Sequence, residues 1–117
     1  MTHSQHHLRI DYIEFPARDL IKTKEFYTSL FGWSFVDYGP NYTSFNDGRL
    51  SGGFFTSNEY ASGGALVVVY ADDLVAMKAK AIALGAVLTK DIFEFPGGKR
   101  FQFLDPNGHE LSVWSNT

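Results

Sequence analysis

The chain has 117 residues, 44% hydrophobic and 16% aromatic, with a formal charge of −3 and no cysteine. That is enough for a real core in one domain or two intimate halves, and too apolar for disorder. The charge gives no electrostatic reason to bind nucleic acid, no apolar run is long enough to span a membrane, and disulfides, thiolate ligands and cysteine nucleophiles are excluded.

Met1–His7 reads as a solvated start, where His3, His6 and His7 would hold no more than a stray metal. MTHSQHHLR lacks the apolar stretch of a secretion signal, and with the absence of cysteine a cytoplasmic location is expected. Ile10–Phe15 alternates as a strand, with Tyr12 and Glu14 on one face and Ile13 and Phe15 on the other. Pro16 cannot donate to a ladder, so it ends that strand or sits at an edge. Asp19 is placed to cap a helix whose apolar face is expected to hold Leu20, Tyr27, Leu30 and Phe31, and Gly32 stands where such a helix stops. Trp33–Asp37, Asn41–Asn46 and Arg49–Phe55 follow as short strands, the last two joined at Asp47-Gly48, a tight-hairpin signal. Ser51-Gly52-Gly53 inside a strand pattern marks a bulge or a close approach.

Thr56–Gly64 is polar and rich in small residues, as a linker should be. The plan then repeats. An apolar strand from Leu66 runs into Asp72-Asp73, then Leu74, Met77, Ala81 and Leu84 at helical spacing, then Gly85. Asp73 lies 54 residues after Asp19, and Gly85 lies 53 after Gly32, which suggests one unit used twice. Ala86–Lys90, Lys99–Leu104 and Glu110–Trp114 are the remaining strands, with turns at Pro96-Gly97-Gly98 and Asp105-Pro106-Asn107-Gly108. The expected fold is α+β: two βαβββ modules, at about residues 8–56 and 65–115 with a linker at about 57–64, forming a curved, mainly antiparallel sheet with helices on its outer face. No P-loop, dinucleotide fingerprint or nucleophile elbow is present.

IEFPARDLIKTKEFYTSLFGW, RLSGGFF, VYADDLVAMKAKAIALGA and FPGGKRFQFLDPNGHELSVW, in this order and spacing, resemble the glyoxalase/bleomycin-resistance/dioxygenase superfamily, also called the vicinal oxygen chelate fold. The resemblance covers about Leu8 to Trp114. It implies paired modules around a cleft, and in members with metal chemistry a few His, Gln or Glu side chains on the cleft strands. The corresponding positions here are Tyr12, Leu66, Ser112 and the stretch near Ser51–Phe54, none of which offers such a ligand. No metal and no cofactor are therefore expected.

The expected ligand-binding residues are Tyr12, Glu14, Phe54, Val68, Gln102, Ser112 and Trp114. Trp114 shares its strand face with Ser112, and an aromatic wall with a few polar groups suits a small molecule. Glu14 is the catalytic candidate, either a base in the cleft or a structural carboxylate bonded to a neighbour such as Tyr12. His109 is expected in a turn-pinning role, and Arg100 as a hairpin arginine able to reach an anion. The resemblance to the bleomycin-resistance branch implies sequestration without chemistry: a domain, paired as a homodimer, that binds a small, partly apolar or aromatic molecule. The alternatives are a metal-independent lyase, isomerase or hydrolase using Glu14 with Tyr12 or His109, a metalloenzyme with atypical ligands, and an accessory domain whose cleft takes a protein partner.

Overall fold

A computed structural model of the protein describes residues 7–8, 10–58 and 65–117. The expectations for His3 and His6, and for most of the linker, lie outside the described residues. The chain divides into two compact units, Met1–Asn58 and Glu59–Thr117.

In the first unit β1 (Tyr12–Ala17), α1 (Leu20–Phe31), β2 (Ser34–Asp37), β3 (Tyr42–Asn46) and β4 (Ser51–Thr56) follow in order. The second repeats the plan with β5 (Val67–Tyr70), α2 (Leu74–Ala83), β6 (Val87–Phe95), β7 (Gly98–Leu104) and β8 (Glu110–Ser115). The sheets are ordered β1-β4-β3-β2 and β5-β8-β7-β6. In each, the opening strand lies parallel to the last one, and the other neighbours are antiparallel. The α+β plan of two βαβββ modules is thus observed, with one four-stranded mixed sheet per unit.

Local chemistry explains the shared plan. The Asp19 carboxylate accepts from the Lys22 amide at 3.0 Å, and Asp73 accepts from Ala76 at 3.0 Å, so each helix begins on a capped amide. Gly32 ends α1 at φ 75°, and its amide donates to the Thr28 carbonyl at 3.0 Å. The buried stripe of α1 is Thr23, Phe26, Tyr27 and Leu30, rotated from the expected one, with Leu20 and Phe31 only half-buried. Thr23 is tolerated inside because its hydroxyl donates to the Asp19 carbonyl at 2.7 Å.

The first unit has an aromatic core. Tyr27 stacks on Trp33 at 4.7 Å and Trp33 on Phe45 at 4.6 Å, while Phe54 stacks on Phe15 and on Tyr27, each at 5.4 Å. The core of the second unit mixes ring and aliphatic groups: Phe101, Phe103, Leu111, Val113, Leu74 and Ala81. These residues share the helix-bearing face of each sheet. By alternation the other face, here the open face, carries Tyr12, Glu14, Tyr42, Ser44 and Gly53 in the first unit, and Val68, Tyr70, Arg100, Gln102, Ser112 and Trp114 in the second.

Three boundaries differ from the expected ones. β1 continues through Pro16 to Ala17, which is possible because β1 is an edge strand. The β3–β4 connection is a four-residue loop, since Asp47 Oδ1 accepts from the amides of Arg49 at 2.8 Å and Leu50 at 2.6 Å. β6 runs on to Phe95, with register shifts on both sides of Lys90.

Candidate functional site

On the open face of the first unit, three side chains form one directed hydrogen-bond chain. The Tyr42 hydroxyl donates to Glu14 Oε2 at 2.9 Å. Tyr12 and Tyr42 share a hydrogen bond of 2.5 Å, and since the Tyr42 proton is on Glu14, Tyr12 is the donor. The Tyr12 oxygen also lies 3.4 Å from Ser44 Oγ, whose own proton goes to the Gly52 carbonyl at 2.9 Å. The chain therefore runs from Tyr12 through Tyr42 to Glu14, its terminal acceptor. Burial, then the bonds to Tyr12 and Glu14, push the Tyr42 phenol well above its ordinary pKa. Gly53 makes the arrangement possible, because a Cβ there would collide with both phenols. Close approach, not a bulge, is what the glycine pair was marking.

On the open face of the second unit, strand register sets two rows. Val68, Ser112, Gln102 and Lys90 form one, and Tyr70, Trp114, Arg100 and Phe93 the other. Trp114 meets Tyr70 edge-to-face at 5.1 Å and Phe95 at 6.1 Å. The Tyr70 hydroxyl donates to Asn116 Oδ1 at 3.0 Å, and the nearby Asp72 carboxylate holds its pKa above the ordinary value. Gln102 and Ser112 are buried and engaged: Gln102 Nε2 donates to Glu110 Oε2 at 3.0 Å, and Ser112 donates to the Phe101 carbonyl at 3.1 Å. Thr89 donates to the same Glu110 oxygen at 2.5 Å. Those two bonds, Thr89 first, hold the Glu110 carboxyl below its usual range.

Of the expected ligand-binding residues, Tyr12 and Glu14 each bond to Tyr42 in the first unit, and Val68, Gln102, Ser112 and Trp114 share the open face of the second. Phe54 is corrected: it is 0% exposed, in the core on the helix side, because its strand neighbour Gly53 takes the open face. Tyr42, Ser44 and Tyr70 were not foreseen. Tyr70 was within reach, two residues after Val68 on one strand face; Tyr42 required knowing that its ring crosses Gly53. The turn before β8 is held by Asp105, whose Oδ1 accepts from the amides of Asn107 at 2.9 Å and His109 at 2.8 Å. A hollow of about 360 Å³ borders the start of α2 and includes Asp72, Asp73 and Lys99. The Asp73 carboxylate in its lining is already engaged, accepting from the Ala76 amide at 3.0 Å.

A sequence profile of the Glyoxalase/Bleomycin resistance protein/Dioxygenase superfamily matches residues 9–113, and the chain belongs to that family. Among solved structures, a glyoxalase/bleomycin resistance protein/dioxygenase family enzyme from Burkholderia phytofirmans PsJN superposes with TM-score 0.82 at 20% identity, over 92% of this chain and 100% of that one. The fosfomycin resistance protein FosX from Mesorhizobium loti gives 0.79 at 16% identity, over 94% and 93%. Lactoylglutathione lyase from Agrobacterium tumefaciens gives 0.72 at 24% identity, over 92% and 93%. These similarities establish the fold. No curated protein matches the sequence.

One further solved relative, FosX from Listeria monocytogenes, is a complex with Mn(II). The residues at the corresponding positions here do not fit such an ion. Leu66 has no donor, Ser112 is fully buried with its hydroxyl donating to a carbonyl, and the Tyr12 hydroxyl is bonded to Tyr42. Among the described residues, no three His, Asp or Glu side chains gather as a metal site.

Proposed function

We propose that the chain is a glyoxalase/bleomycin-resistance-like domain that binds a small, partly apolar or aromatic molecule on its open sheet faces, without a metal. The observation that carries this is the Tyr70–Trp114 pair: an edge-to-face aromatic surface on a helix-free sheet face, with Tyr70 still 45% exposed. Rings held by their neighbours offer contact area at small entropic cost, as a small-molecule site requires. Homodimer formation and a cytoplasmic location are parts of the same reading. Native mass spectrometry of the untagged protein with elemental analysis is the direct test. A dimer mass carrying an organic adduct and no stoichiometric metal is expected. Stoichiometric zinc, nickel, manganese or iron sinks the metal-free reading. Trp114→Ala should weaken binding of the co-purified molecule about tenfold or more, read by titration calorimetry.

A second reading is favoured by one bond, that from Tyr42 to Glu14. A carboxylate oriented by a phenol on an open face can serve as a base in a metal-independent lyase or isomerase. Incubating protein with the co-purified molecule separates the two readings. The binding reading expects no product from the parent protein. The enzyme reading expects turnover that Glu14→Gln abolishes while binding survives.

A further inference from the structure

Arg100 lies at the centre of the second row on the open face of the second unit, between Trp114 on β8 and Phe93 on β6. Its guanidinium carbon is 5.1 Å from the Phe93 ring centroid and 5.5 Å from that of Phe95. Two rings therefore fix the plane of the cation, yet neither supplies a hydrogen-bond acceptor. Arg100 Nε is buried and has no hydrogen-bond partner. Neither the Lys24–Asp37 nor the Lys78–Asp91 ion pair involves Arg100. Glu110, an acid on the same face, is already engaged by Thr89 and Gln102. Lys90, whose ammonium lies 5.7 Å from the Phe93 centroid, brings a second positive charge to this part of the face.

We propose that Arg100 is an anion-recognition residue, which takes the carboxylate of a small aromatic acid whose ring lies against Trp114 and Tyr70. The inference rests on the reading of this open face as a small-molecule site and adds the charge of the ligand. A guanidinium presents its N–H groups as a fork that matches two carboxylate oxygens. The Phe93 and Phe95 rings already hold that fork in place, so little side-chain freedom is lost on binding. An unpaired donor among apolar rings carries a penalty that an anionic acceptor in its neighbourhood relieves. The aromatic neighbours supply the rest of the contact.

The test compares benzoate, trans-cinnamate and indole-3-acetate with their neutral amides, by titration calorimetry against the full-length protein. At least one acid is expected to bind about tenfold more tightly than its amide, as one charge-assisted hydrogen bond commands. Raising the salt concentration should narrow that gap in the unaltered protein, which tests the charge without any substitution. Arg100→Gln should erase the gap between each acid and its amide. Arg100→Lys should keep part of it, and Trp114→Ala should weaken acid and amide alike. Equal binding of every acid and its amide, or a gap that survives both salt and Arg100→Gln, overturns the assignment while the small-molecule reading stands. Failure of all six compounds to bind overturns both.

Discussion

Tyr42 donates to Glu14, accepts from Tyr12 and lies across Gly53, so three residues of the first unit depend on a single phenol. Burial and these bonds raise its pKa above the 10.0 of a free phenol. The folded chain thus holds this proton more tightly than the unfolded chain does. The stabilisation is complete below the unfolded value and is lost as pH climbs through the raised folded value. Urea unfolding at about pH 8 and about pH 11 should show a fall in stability that Tyr42→Phe makes shallower. An identical fall in parent and variant would mean that the phenol is not held as described. The same network explains a sequence-level ambiguity. Glu14 reads equally well as a cleft base and as a bonded structural carboxylate, and which neighbour it meets depends on a tyrosine 28 residues away.

At the level of elements, the two aspartate caps are equivalent in geometry. Asp19→Ala and Asp73→Ala should each cost about 1 kcal/mol by chemical denaturation, with asparagine at either position retaining most of it. A loss at one cap only would break the equivalence of the halves. The caps, the Gly32 stop, the Asp105 turn and the edge position of Pro16 were legible because each rests on a rule spanning fewer than about six residues. What was not legible depends on distant partners. The buried stripe of α1 is centred on Thr23, a polar residue satisfied by its own helix, which hydrophobic periodicity passes over. The extension of β6 past Lys90 needs shifted pairing with β7, and no local signal announces it. The facing of Phe54 is not legible either, because two glycines precede it and alternation is hard to count through residues without side chains. Arg100 reads as an ordinary hairpin arginine until the Phe93 and Phe95 rings are seen within 5.5 Å of its guanidinium carbon.

On the scale of the whole molecule, each unit has its own core and one of the two tryptophans, Trp33 in the first and Trp114 in the second. Single-tryptophan variants, Trp114→Phe and Trp33→Phe, therefore report on the units separately. Phe54→Ala removes a fully buried ring from the first core, a change that costs about 3–5 kcal/mol. It should lower the thermal transition followed by Trp33 more than the one followed by Trp114. Equal shifts would mean that the units unfold as one cooperative body.

The two cores were filled by different means. Stacked rings occupy the first, with Tyr27, Trp33, Phe45 and Phe54 in series, whereas Leu111, Val113 and Ala81 take a large share of the second. The N-terminal helix caps, the strand order and the parallel opening pair are nonetheless the same. The halves agree where the main chain has no alternative and diverge where volume can be redistributed among side chains. A scaffold of this kind leaves its uncovered surfaces free to specialise separately: one half can end in oxygen lone pairs and the other in a cation, with neither change disturbing the frame beneath.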